Sequence, residues 1–156
     1  MSTATDVMSA ATTAELSVPS DRSNDRAGTP AYQAFHLLHW AFVVAPVIMG
    51  ADKFLNLLTN WEKYLAPSFL SISPLSAAAT MRAVGVVEII AGLVVAIRPR
   101  IGAYVVAAWL AGIIVNLLLV GGYYDVAVRD FGLCLAALAL ARLSATYDRQ
   151  GAKRAA

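Results

Sequence analysis

Thiol and imidazole chemistry have almost nothing to work with in this sequence. Of 156 residues, one is cysteine, Cys134, and two are histidine, His36 and His39. A lone cysteine in an apolar run forms no internal disulfide and no CxxC dithiol couple. That excludes thiol oxidation within one subunit and leaves Cys134 as an inert packed thiol. The histidines stand three apart on one helix, a spacing that could hold a metal but cannot clamp a haem between two helices of the same chain. We read them as interfacial hydrogen-bonding groups and expect no metal. Also missing are a Walker loop, a GxGxxG after a strand, a His/Asp/Glu zinc motif and a nucleophile elbow, so no soluble-enzyme signature is present.

Charge is the other scarcity. Only 14% of the residues are charged against 59% hydrophobic, and the mean hydropathy is +0.65, outside the range of ordinary soluble domains. Long apolar runs take the place of charge, at residues 35–58, 77–97, 101–120 and 126–143. The run at 77–97 would span roughly 31 Å as a helix at about 1.5 Å per residue, the thickness of a bilayer's hydrocarbon. The sequence therefore predicts an all-α integral membrane protein, a four-helix bundle over residues 31–147. A disordered, Ser/Thr/Ala/Asp-rich tail (1–30) would precede it and a basic tail (148–156) follow.

If the chain crosses four times, eight of its twelve basic residues fall on one side: Arg22, Arg26, Arg98, Arg100, Arg142, Arg149, Lys153 and Arg154. The imbalance predicts that both termini are cytoplasmic, as in a bacterial inner-membrane protein. Topology accounts for the basic flanks, so nucleic-acid binding is not implied. Several local features follow. Pro46 should kink or loosen the first span. Trp61 and Tyr64 suit the outer headgroup belt. Ser73 and Pro74 resemble a helix start, and Arg98–Pro99–Arg100 reads as a tight turn that makes its flanking helices antiparallel neighbours. Ala108, Gly112 and Asn116 recur at four-residue steps, a face on which helices can approach closely. Asp125 is placed to cap the last span.

Glu88 lies near the middle of the second span, where a carboxylate costs several kcal/mol unless it is paired or protonated. Placing each span by its ends brings Asp52, Lys53, Arg82, Asn116, Arg129 and Asp130 to the same half of the bundle. With Glu88 this gives three acids and three bases, the neutral balance that a buried ionic network requires. Lys53 or Arg129 is the expected partner of Glu88, because Arg82 is six residues away on the same helix. These seven residues are the candidate ligand or proton site.

Three segments also resemble the DoxX-like family of small four-helix bacterial membrane proteins: Gly50–Phe54 (GADKF), the G-x-x-E-x-x-x-G of Gly85, Glu88 and Gly92, and Tyr124–Leu133 (YDVAVRDFGL). The resemblance covers residues 35–143. It implies a membrane subunit associated with redox enzymes, with a quinone as candidate cofactor and an oxidoreductase as candidate partner. It supplies no catalytic residues. Three functions are therefore carried forward. The first is a redox-associated subunit whose polar cluster binds a small polar ligand or a quinone headgroup. The second is a small transporter, which four helices could form only as a homo-oligomer. The third is a non-catalytic scaffold whose charges fix helix register.

Overall fold

The computed structural model describes residues 29–72 and 74–155, with side chains through residue 146 apart from residue 72. The expected N-terminal tail lies outside the described residues, as does Ser73 of the expected helix start. The chain divides into two compact units, Met1–Gln33 and Ala34–Ala156. Of the first, only the opening turn of a helix is described. There the N–H groups of Tyr32 and Gln33 donate to the Thr29 carbonyl at 3.0 and 3.2 Å.

The described residues are helical, without strands. In chain order they form α1 (Pro30–Leu55), a single 3-10 turn (Trp61–Tyr64), α2 (Pro67–Ile72), α3 (Ala77–Ile97), α4 (Pro99–Val120) and α5 (Tyr124–Ala155). Three of them, α1, α3 and α4, are long and apolar enough to cross a membrane. The fourth expected span is not among these. In α5 the uncharged run from Phe131 to Ala141 is eleven residues, about 16 Å, half of a bilayer. The expected boundary at residue 147 falls inside α5.

Local chemistry explains where the helices stop. Asn56 adopts the left-handed conformation (φ 51°), and its N–H donates to the Asp52 carbonyl at 2.6 Å, which terminates α1 by the αL motif. The first span thus ends at Leu55, short of the expected residue 58. Ser76, not Ser73, caps α3, its hydroxyl accepting from the Ala79 N–H at 3.3 Å. Pro99 opens α4, where a missing N–H costs nothing. Asp125 lies within the first turn of α5 and not at its cap, where its charge favours the helix dipole.

Close backbone approach joins α1 to α3. A Cβ on Gly50 would stand 2.6 Å from the Gly85 carbonyl oxygen, and one on Gly85 would meet the Gly50 oxygen at the same distance. Further along, Gly92 faces Val43 and Pro46. These pairings run in opposite directions along the two helices, making them antiparallel, and α1 stays helical through Pro46. The core between α3, α4 and α5 is built largely of small residues, with Ala91, Ala103, Ala107 and Ala137 buried around Val95 and Leu140. The outward faces carry Leu, Ile, Val and Phe. This distribution is the reverse of a soluble bundle.

The small-residue face expected on α4 is not a helix contact. Ala108 and Gly112 are exposed, and a Cβ on Gly112 would find nothing within 4 Å.

Candidate functional site

The segment between α1 and α3 folds back over the ends of the helices and organises the polar residues there. Asp52, on the last turn of α1, accepts from the Leu57 N–H at 3.0 Å, the Leu58 N–H at 3.1 Å and the Trp61 indole Nε1 at 2.7 Å. Three donors converge on one buried carboxylate. Asn116, near the end of α4, accepts from the Ala66 N–H at 3.0 Å and donates to the Tyr64 carbonyl. The Tyr64 ring also packs on Tyr123, with centroids 4.9 Å apart. Asp52 and Asn116 are therefore the two posts to which the connecting segment is tied.

Lys53 follows Asp52 on the helix but points across to α3. Its Nζ lies 2.6 Å from Glu88 Oε2, and only 5% of the Lys53 side chain and 10% of the Glu88 side chain are exposed. Of Lys53 and Arg129, the two cations within reach of Glu88 by sequence, Lys53 makes the contact. Trp61 covers it, with Nζ 3.8 Å from the ring centroid, a cation–π arrangement strengthened by desolvation. On the other side, the Trp109 indole Nε1 is buried beside Glu88 without a well-aligned hydrogen bond of its own. Asp130 of α5 is also buried, and its charge acts on both Lys53 and Glu88.

The expected neutral network of six ions does not form. Arg82 is exposed. Arg129 approaches only its neighbour Asp130, at 3.7 Å, with 70% of its own side chain exposed. Both arginines can snorkel, because a long stem lets the guanidinium reach water while the backbone stays at the apolar level. Asp52 spends its capacity on the connecting segment. The buried set is thus Lys53 against Glu88, Asp130 and Asp52, with acids in excess.

Neither tryptophan that walls the ion pair stood out in the sequence. Trp61 belongs by type to a headgroup belt, yet its ring faces Lys53 and its N–H faces Asp52. No spacing rule links a connecting segment to the helix before it. Trp109 was legible. In a helical hairpin closing at Arg98–Pro99, residues equidistant from the turn face each other. Glu88 is ten residues before Arg98 and Trp109 ten after Pro99. The histidines lie elsewhere, in ring contacts with Phe35 and Trp40, and Cys134 donates its thiol to the Ala107 carbonyl at 3.4 Å.

The arrangement can share a proton between the Lys53 ammonium and the Glu88 carboxylate, whose side chains are 5% and 10% exposed. No family model, curated protein or solved structure matches the chain.

Proposed function

We propose that this chain is a DoxX-like, redox-associated subunit of the bacterial inner membrane. In this reading its four long helices cross the bilayer as a bundle, with both termini cytoplasmic. Glu88 is the proton-exchanging group and Lys53 stabilises its charge; the second cation expected in Arg129 is replaced by an acid, Asp130, which opposes that charge. The ligand is a small polar molecule or a quinone headgroup, with an oxidoreductase as partner. The observation that carries the reading is the Lys53–Glu88 pair itself. It is buried, walled by Trp61 and Trp109, and accompanied by an additional acid. Intramembrane ionisable residues kept at such cost are most often functional.

The test is whether the protein purified from native membranes retains quinone or an oxidoreductase, with wild type compared to Glu88→Gln. The expected result is retention by wild type and a loss of about tenfold in the variant, equivalent to ~1.4 kcal/mol of binding. Wild-type protein that retains neither would sink the proposal.

A scaffold reading is favoured by one observation: Asp52 and Asn116 serve backbone groups and so act structurally. It predicts that the double substitution Lys53→Met, Glu88→Leu preserves both assembly and phenotype, since a buried ion pair often exchanges for apolar residues at no net cost. A transporter reading has no comparable observation in its favour.

A further inference from the structure

We infer that residues 56–71, the greater part of the segment between α1 and α3, are seated in the outer leaflet of the bilayer, against lipid acyl chains, and do not form a water-exposed loop. The inference rests on the membrane reading above and adds a lipid contact surface to it. Its first support is what the segment leaves uncovered. Phe54, Leu55, Leu57, Leu58, Phe69 and Leu70 are all exposed, Leu57 by 78% and Leu55 by 64%. An apolar surface of this extent is rare on a face that meets water.

The second support is independent of the first. Non-helical backbone survives at hydrocarbon depth only where its polar groups are satisfied within the protein, and at both ends of this segment, next to α1 and beside α4, backbone groups are satisfied in that way. Asp52 takes the N–H groups of Leu57 and Leu58, and Asn116 takes the Ala66 N–H and the Tyr64 carbonyl. Asn56, Leu65 and Phe69 donate to the carbonyls of Asp52, Glu62 and Ala66. A loop in water would gain little from committing Asp52 and Asn116 to these bonds, since solvent would supply them. Here a carboxylate is buried to provide them.

The third support is an inversion of side chains. Trp61, whose polar tip would suit an interface, turns its ring to Lys53 and its N–H to Asp52, and the Tyr64 ring packs on Tyr123, while leucine and phenylalanine remain outside. The exposed apolar face of α1, with Val44, Ile48 and Met49, continues into Phe54 and Leu55, so the lipid-facing surface has no break at the helix end. Glu62 and Lys63 are exposed and form the segment's water-facing edge.

Single cysteines test this in the full chain, in a Cys134→Ser background, reconstituted in liposomes with a membrane-impermeant maleimide on both sides. Leu57→Cys and Phe69→Cys should react about tenfold more slowly than Lys63→Cys, the factor given by ~1.4 kcal/mol of preference for lipid. A bimane at either site should be quenched by lipid-borne nitroxide as strongly as one at Leu118→Cys on α4. Fast labelling at 57 and 69 with Leu118→Cys still protected would overturn the inference and leave the membrane reading intact. Fast labelling at 118 as well would overturn both. Protection without lipid quenching would mean that a second copy covers the segment, and would overturn it too. Adding Asp52→Ala should raise labelling of Leu57→Cys to the level of Lys63→Cys. Unchanged protection would remove Asp52 from the explanation.

Discussion

At the scale of single residues, the consequence of the site is an asymmetry between breaking a pair and replacing it. Lys53→Met alone leaves Glu88 as an uncompensated buried carboxylate, and we expect it to cost ~3–5 kcal/mol of stability. The double substitution Lys53→Met, Glu88→Leu should recover most of that loss. Denaturant titration in detergent micelles measures both, and equal destabilisation by the single and double variants would contradict the pairing. Asn116→Ala should cost less, ~1–3 kcal/mol, for the unpaired Ala66 N–H and Tyr64 carbonyl. The loss should fall on the connecting segment, read as faster proteolysis between Asn56 and Ser76. Glu88 was conspicuous from the sequence because an acid inside an apolar run is costly anywhere. Its partner was less so, since two cations had stems long enough to reach and only the packing of α1 on α3 selects between them.

At the scale of helices, small residues play two different parts that share one spacing. Gly50 and Gly85 let α1 and α3 meet backbone to backbone. Gly85→Ala brings a Cβ to 2.6 Å from the Gly50 oxygen, so the helices must separate, at ~1–3 kcal/mol. Gly112→Ala and Gly132→Ala meet nothing within 4 Å and should be neutral or stabilising by up to ~1 kcal/mol through helix propensity. Thermal unfolding of the three variants in one detergent checks the contrast, and equal effects would contradict it. Spacing alone could not separate these glycines. Both sets recur at three- and four-residue steps, and which set faces a neighbour depends on how each helix is rotated in the assembly.

At the scale of the whole molecule, α5 differs from the other long helices in that its uncharged run, Phe131 to Ala141, is half the thickness of a bilayer. If it completes the bundle as proposed, a reporter fused after Ala156 lies on the same side as one inserted at the Arg98–Arg100 turn. A C-terminal reporter on the opposite side would mean that α5 does not cross, and both termini could not then be cytoplasmic. The exposed positions of Arg82 and Arg129 suit a crossing helix, because each sits near the end of the molecule where a guanidinium can reach headgroups.

Composition and run length by themselves determined the helical class, three apolar helices long enough to span a membrane, and the antiparallel α3–α4 hairpin. Each of these follows from the cost of exposing apolar side chains or backbone to the wrong medium, a local property read residue by residue. Only the tertiary structure decided that the buried charge is one ion pair with extra acids. It also placed Trp61 over Lys53 and committed Asp52 and Asn116 to holding the connecting segment. The reason is physical. Whether a charged side chain is buried or snorkels, and whether a glycine meets a helix or lipid, depends on the rotation and offset of helices distant in sequence, and no local pattern encodes those.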